Sequence, residues 1–233
     1  IVAKVSRVEV ASQFMSPPPE ELLNELVRSR EITAEQARMA SEIPVAQDVT
    51  AEADSAGHTD NRPLVTLLPT FLSLRHRLQQ KHAFAQPLRV GAAGGLSTPG
   101  ALAAAFGMGA AYVVTGSVNQ ACVESGSSDG VRRLLAQAEQ ADTAMAPAAD
   151  MFEMGVKVQV LKRGTMFPMR AAKLYELYRA YPGLEMLPAA ERANLEKQFF
   201  RTSLEAAWQN TRDYFLKRDP RQVERAERDA KHK

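Results

Sequence analysis

Cysteine is nearly absent from this sequence, and long apolar runs are absent altogether. The single cysteine, Cys122, excludes an intrachain disulfide framework and any metal site built from several cysteines. One cysteine in 233 residues fits a reducing compartment, so we expect a cytoplasmic protein. No stretch has the length and apolar character of a membrane span, and no secretory signal is visible. The sequence therefore predicts no membrane partner.

An excess of charge of either sign is also lacking. The 29 lysines and arginines nearly balance 27 aspartates and glutamates, for a formal net charge of +2. That balance disfavours nucleic acid as a partner. Of the four histidines, His76 and His82 lie in a basic helical stretch and His232 in a charged tail, where we expect solvated side chains. No second histidine or cysteine stands at ligand spacing from His58, which disfavours a metal site.

One βαβ unit dominates what is present. Leu88–Ala92 is a short apolar run typical of a buried parallel strand, and Gly94-Gly95 follow it. A helix is predicted from Gly100 to about Met108, after the start signal Ser-Thr-Pro. Tyr112–Thr115 is a second predicted strand, and Gly116-Ser117 stand at its exit. Glycines therefore mark the exits of two successive strands.

These glycine-marked exits favour phosphate binding. Parallel strands place their carboxyl ends side by side, on the face where α/β proteins bind ligands. Backbone N–H groups freed by glycine form an anion site suited to phosphate, and the last strands of a (β/α)8 barrel often hold a phosphate in this way. The alternative is an ordinary tight turn followed by a helix C-cap. The sequence contains no P-loop, and GAAGGL does not fit the pattern GxGxxG.

A polar loop follows a further predicted strand, Val49–Ala53. It reads EADSAGHTDNRP and crowds titratable groups around Gly57, where barrel enzymes usually carry their catalytic residues. His58 is the candidate for proton transfer, because its unperturbed pKa lies near neutrality. A purely structural histidine is the alternative. Lys4, near the end of the first predicted strand Ile1–Val5, has two uses that stay open: contact with an anionic ligand, or a salt bridge within the sheet.

The chain divides into two predicted regions. Residues 1–146 have the strand–glycine–helix pattern of an α/β barrel, interrupted by an inserted helical pair at about 17–47. Residues 147–233 follow a helical period, with a strand around Val156–Val160 as the minor option. Methionines of this region could line an acyl-accommodating surface, but ordinary core is the favoured interpretation. Because the chain opens directly in a strand, we expect it to be part of something longer.

Several motifs, taken in order, resemble one family. They are AKVSR, EADS-GHTDNRP, RVGAAGG-STP, TGS-NQ and DMFE-G-KVQVLK-GT-FP-RA-KLYELY. From about Ile1 to Trp208 the chain resembles the trans-acting enoyl reductases, of the PfaD type, of polyketide and polyunsaturated fatty acid synthases. These belong to the nitronate monooxygenase-like flavin barrels. The resemblance implies an FMN-binding (β/α)8 TIM barrel, of which this chain holds only the later strands, with a helical insertion and a C-terminal helical subdomain.

The resemblance also implies roles for individual residues. The flavin phosphate site of the family matches Gly94, Gly95, Gly116 and Ser117, and its active-site histidine matches His58, with Ala56 in place of the first glycine of a GGH turn. Asp60 and Asn61 are expected to orient the histidine, and Lys4 to offset charge at the flavin. The remaining expected cofactor contacts are Gly57, Ala93, Thr115, Asn119 and Gln120.

The activity implied by the resemblance is reduction of an enoyl thioester on an acyl carrier protein, with NADPH as reductant and FMN as cofactor. Synthase or acyltransferase modules are the expected partners, and a homodimer is left open. Two other functions stay open: a nitronate monooxygenase-type flavin oxidase on the same site, and a non-catalytic subunit whose helices dock on a synthase. A barrel of the inosine monophosphate dehydrogenase kind is disfavoured, because Cys122 lacks the loop setting of a catalytic cysteine.

Overall fold

Four parallel strands organise the N-terminal part of the chain. In a computed structural model, which describes residues 1–233, they are β1 (Val2–Val5), β2 (Asp48–Glu52), β3 (Arg89–Ala93) and β4 (Val113–Val114). Their order in the sheet is the order of the chain, and every neighbouring pair is parallel. The α/β class with a parallel sheet is therefore confirmed. All four carboxyl ends lie along one edge of the sheet.

The two central strands are covered on both faces. On one face, Val49 and Ala51 of β2 and Val90 and Ala92 of β3 are at most 1% exposed, and on the opposite face Thr50 of β2 and Gly91 of β3 are also buried. Small and β-branched side chains suit such strands, since a parallel sheet is normally packed on both sides. The sheet belongs to the first of two compact units, Ile1–Thr143 and Ala144–Lys233.

The helices of the first unit follow the strands in alternation. The longest, α4 (Leu64–His82), buries a stripe of five residues against the core: Leu67, Leu68, Phe71, Leu74 and Leu78. Their spacing of three and four residues is the helical period that the sequence displays. The other helices that alternate with the strands are α1 (Val8–Phe14), α5 (Pro99–Gly107), α6 (Ser117–Gln120) and α7 (Asp129–Ala136).

The predicted helical pair between β1 and β2 is present. It consists of α2 (Glu20–Arg28) and α3 (Ala34–Ala40). Thr33 starts α3 with a capping box, in which its hydroxyl accepts from the Gln36 N–H at 3.1 Å and the Gln36 side chain accepts from the Thr33 N–H at 2.8 Å.

The second unit contains strands as well as helices. It carries a two-stranded sheet of β5 (Thr143–Pro147) and β6 (Lys157–Leu161). At β6 the structure therefore contains the strand that the sequence offers as the minor option, and the alternation of Val156, Val158 and Val160 is its signal. The helices that follow are α8 (Phe167–Ala180), α9 (Ala189–Asn194), α10 (Leu204–Arg218) and α11 (Pro220–Arg228), with a π-helical turn at Leu195–Phe200. No helix of the chain combines the length and apolar composition needed to cross a bilayer.

Two expectations for this unit are wrong. Met154 and Met169 are 66% and 65% exposed, so these methionines are not core residues. The side chain of His232 is only 17% exposed, since its ring contacts Glu153 at 3.3 Å and Gln222 at 3.1 Å. Periodicity identifies the apolar face of a helix, but it does not say whether another element covers that face.

Gly91 of β3 gives a test of the packing in the sheet. A Cβ at this position would stand 2.1 Å from the ring of Tyr112, whose hydroxyl lies 2.9 Å from Thr50 Oγ1. Gly91→Ala should therefore destabilise the protein by about 1–3 kcal/mol, because the ring must move out of a packed position.

Urea unfolding of the intact protein measures this change, with Gly107→Ala as the matched control. A Cβ at Gly107, the last residue of α5, meets nothing within 4 Å. Equal stability of the two variants would contradict the packing described here.

Candidate functional site

The exits of the four strands adjoin along one edge of the sheet. The register pairs Glu52 with Ala93 and Ala93 with Val114, so the last residues of β2, β3 and β4 form one row. Lys4 of β1 pairs with Thr50, two residues before the end of β2. The loops that leave this row therefore begin side by side, as the sequence predicts for parallel strands.

Gly94 lets the exits of β2 and β3 come into contact. Its φ is +100°, and a Cβ on it would stand 2.7 Å from the carbonyl carbon and oxygen of Ala53. The Ala53 N–H also donates to the Ala93 carbonyl at 2.8 Å. A side chain at Gly94 is excluded by backbone, so only glycine lets the exits of β2 and β3 pack together at this position.

Gly95 and Gly116 stand beside open space. A Cβ on either glycine would meet nothing within 4 Å, and Gly95 has a φ of +67° that favours glycine. They belong to the exits of the neighbouring strands β3 and β4. Main-chain atoms at these two positions are therefore accessible to a bound group.

The turn after β4 is held by its own side chains. The Thr115 hydroxyl donates to Asn119 Oδ1 at 3.1 Å, and Asn119 Nδ2 donates to the Thr115 carbonyl at 3.0 Å. Ser117 begins the short helix α6, and the Gln120 carbonyl at its end accepts from the Ser125 hydroxyl at 2.8 Å. Asn119 thus shapes the turn around Gly116.

The histidine loop leaves β2 at the same edge and is closed at its base. The Asp54 N–H donates to the Arg62 carbonyl at 2.8 Å. His58 lies at the exposed part of the loop. The Asn61 side chain accepts from the Thr59 hydroxyl at 3.1 Å, and Asn61 adopts a φ of 51°, a conformation that asparagine tolerates well. The structure thus brings His58 to the edge that carries the open glycines.

Asp60 anchors this loop to the exit of β1. Its carboxylate accepts from the Ser6 hydroxyl at 2.8 Å and from Arg7 Nε at 3.0 Å. The hydrogen bond from Arg7, followed by that from Ser6, lowers the pKa of Asp60. Asp60 therefore contacts the neighbouring strand exit and holds the loop that carries His58.

Lys4 pairs with Glu52, which is not among the predicted site residues. Lys4 Nζ donates to Glu52 Oε1 at 2.5 Å, so the salt bridge is the use of Lys4 that the structure contains. Glu52 is 7% exposed, and among the buried residues it is the only charged one. Its signal in the sequence is an acidic residue at a strand position between two alanines, where an apolar residue is usual.

The second unit contains a cavity of its own, of about 580 Å³. Its lining is mainly apolar and comes from residues 149–154, from α8, from the segment 183–200 and from the tail 230–233. None of the predicted site residues lines it. No group of three or more histidine, cysteine, aspartate or glutamate side chains is placed to hold a metal ion.

Comparison with known proteins identifies relatives in polyunsaturated fatty acid synthesis and polyketide biosynthesis. The chain is 52% identical to one subunit of the polyunsaturated fatty acid synthase of a Thraustochytrium species, over all of this chain and 16% of that protein. It is 46% identical to the polyketide biosynthesis protein PksE of Bacillus subtilis, over all of this chain and 30% of PksE. The chain thus spans less than a third of the length of these relatives.

Two further comparisons concern structure and the C-terminal region. The crystal structure of the enoyl reductase domain of MlnA, from the macrolactin biosynthesis cluster of Bacillus amyloliquefaciens, superposes with a TM-score of 0.90 at 39% identity. That match covers all of this chain and 51% of the MlnA chain. Residues 181–233 match the family described as [acyl-carrier-protein] S-malonyltransferase, inserted helical domain.

The anchor at Asp60 predicts a pH dependence. Because the folded-state pKa of Asp60 is lowered, its contribution to stability is present at neutral pH and is lost as the pH falls below about 4 through that lowered pKa. Asp60→Asn should therefore lower the urea midpoint slightly at pH 7, and the difference from wild type should shrink below about pH 4.

Arg7→Gln provides the control, since it removes the partner that contributes most to the lowered pKa of Asp60. In that background Asp60→Asn should change the midpoint at pH 7 by less than it does alone. An equal effect of Asp60→Asn at pH 7 and at pH 3 would rule out the anchor.

Proposed function

We propose that this chain is part of a flavin-dependent enoyl reductase of a polyketide or polyunsaturated fatty acid synthase. Two kinds of support exist. The MlnA enoyl reductase domain has the same fold over the whole of this chain, and the other relatives are a polyunsaturated fatty acid synthase subunit and a polyketide biosynthesis protein. The observation that carries the proposal is the strand edge, where the open glycine turns after β3 and β4 lie on the same edge of the sheet as the loop of His58.

We further propose that the sheet is one arc of a (β/α)8 barrel. Its strands are parallel and follow one another in chain order, without the reversal of order that marks a doubly wound sheet. The remaining strands would come from the part of the protein that corresponds to the other half of the MlnA chain. In such a barrel the edge described above is the face that carries the active site.

The residues present fit an FMN phosphate. Gly95 and Gly116 offer main-chain atoms beside open space, and no acidic side chain follows Gly95 or Gly116 directly in the chain. Ser117 adds a hydroxyl next to Gly116. These three residues would hold the phosphate, and Gly94 would keep their loop against the exit of β2. When bound, FMN supplies two-electron chemistry, accepting a hydride from NADPH and delivering it to the substrate.

His58 is the proposed proton donor. Reduction of the enoyl thioester adds a hydride, originating from NADPH, to the β-carbon and a proton to the α-carbon, so the double bond becomes single and NADPH becomes NADP⁺. His58 Nδ1 or Nε2 would give that proton and would be reprotonated from water. Thr59, Asp60 and Asn61 hold the loop in place through the hydrogen bonds described above. The substrate would arrive on an acyl carrier protein.

A second candidate function is docking. The match of residues 181–233 to a helical domain of a malonyltransferase favours a role of these helices in contacting a synthase or acyltransferase module. Such a role is compatible with catalysis at the strand edge. A protein that only docks would bind no FMN, so the two experiments below separate the candidates.

His58→Gln should lower the rate of enoyl thioester reduction by at least about 100-fold, because the proton donor is lost. FMN binding should stay within about twofold of wild type, since His58 is not among the proposed phosphate contacts. Stopped-flow kinetics with a carrier-bound enoyl substrate measures the rate. His76→Gln is the control, because His76 is exposed on α4 and its ring forms a hydrogen bond with Gln80 at 2.9 Å. If His58→Gln reduced the substrate at the wild-type rate, His58 would not be the proton donor.

Gly116→Ala should raise the dissociation constant of FMN about tenfold or more, because its methyl group would project into the space proposed for the phosphate. Thermal unfolding of the FMN-free protein should change little, since apart from the two chain neighbours no residue lies within 4 Å of that methyl group. Gly107→Ala again serves as the control and should bind FMN normally. If Gly116→Ala bound FMN with unchanged affinity, the phosphate would not lie at Gly116.

A further inference from the structure

We infer that the ion pair between Lys4 and Glu52 positions His58, with Glu52 as a positioning residue beneath the histidine loop. The inference rests on the proposed function, in which His58 is the proton donor. It concerns the buried carboxylate of Glu52, which takes no part in the proposed chemical step. Three observations carry it: the burial of Glu52, its contact with Gly57 and the placement of a comparable ion pair at the other end of β2.

The burial of Glu52 is energetically unfavourable unless a partner compensates it. A carboxylate that is removed from water needs a counter-charge or strong hydrogen-bond donors. Lys4 supplies the counter-charge from β1 at 2.5 Å, while its own side chain stays 50% exposed. An apolar residue at position 52 would satisfy packing at lower cost, because buried ion pairs are often no better than apolar replacements. Stability alone therefore does not explain this pair.

The contact with Gly57 connects the ion pair to the histidine. A Cβ on Gly57 would stand 2.9 Å from Glu52 Oε1, so the carboxylate lies directly against the backbone of the residue that precedes His58. The Gly57 N–H also donates to the hydroxyl of Ser55, two residues earlier in the loop, at 3.3 Å. The oxygen that contacts Gly57 is the same one that Lys4 holds. Any shift of that oxygen therefore changes the support of the turn at Gly57-His58.

A comparable ion pair lies at the opposite end of the same strand. Asp48, the first residue of β2, accepts from Arg89 Nε at 2.6 Å and from Arg89 Nη2 at 2.7 Å, and its side chain is 16% exposed. This pair also joins β2 to a neighbouring strand, but it lies at the amino end of the sheet, away from His58. The chain thus offers one ion pair that supports the loop and one that supports only the sheet.

The test uses the intact FMN-loaded protein with variants of both pairs. Glu52→Gln and Lys4→Met should each lower kcat for enoyl reduction about tenfold, because a displaced donor reacts more slowly, and should leave KM within about twofold. Lys4→Arg keeps the charge and should retain nearly full kcat. Asp48→Asn is the matched control and should keep kcat. The double variant Lys4→Met with Glu52→Gln should be no slower than the slower single variant.

A second readout does not depend on activity. NMR spectra of protein isotopically labelled at histidine provide it. The ring signal of His58 is assigned by its absence in His58→Gln. Its chemical shift should change in Glu52→Gln and in Lys4→Met but not in Asp48→Asn. Denaturant midpoints of all variants are measured alongside. If the ion pair had only a structural role, Glu52→Gln and Lys4→Met would lower the denaturant midpoint. They would not change the His58 signal, and they would not lower kcat while leaving KM unchanged.

The outcomes distinguish this inference from the function on which it rests. If His58→Gln reduces the enoyl thioester normally, the proposed function fails. If His58→Gln is inactive while Glu52→Gln and Lys4→Met keep full kcat and an unmoved His58 signal, the positioning role is overturned. An equal loss of kcat in Asp48→Asn also overturns it, because the effect would then follow from weakening of the sheet.

Discussion

The parallel register of the sheet is the constraint on which the rest of this structure depends. Backbone hydrogen bonds fix Glu52 beside Ala93 and Ala93 beside Val114. A slip by one residue would turn every side chain of a strand to the opposite face and would separate these exits. With the register as it is, the backbone of Gly94 packs against Ala53, and the glycine turns and the histidine loop share one edge.

Side chains from β1 then fix the histidine loop from the other side. Lys4 reaches the buried Glu52 at the root of the loop, and Ser6 and Arg7 reach Asp60 beyond the histidine. The loop is therefore held on both sides of His58 while His58 itself remains exposed. Such support suits a group that must keep a fixed position relative to a substrate, because catalytic geometry tolerates only small displacements.

Local signals made much of this arrangement predictable from the sequence. Glycines after apolar runs located the turns at Gly95 and Gly116, and the helical period located α4. What the sequence did not reveal depends on residues far apart in the chain: Lys4 and Glu52 are 48 positions apart, and no local pattern says that they pair. In the second unit the exposure of Met154 was unpredictable for the same kind of reason, because composition does not say which element covers a face. The eight-stranded barrel, the cofactor and the carrier-bound substrate remain proposals.

The central claim is that this strand edge holds a flavin that passes electrons from NADPH to an enoyl thioester. The absorption spectrum of the intact protein, recorded without oxygen, tests it most directly. We expect a yellow protein whose flavin absorption bleaches on addition of NADPH and returns when a carrier-bound enoyl thioester is added. A colourless protein, or a bleached protein whose colour returns only with oxygen, would contradict the claim.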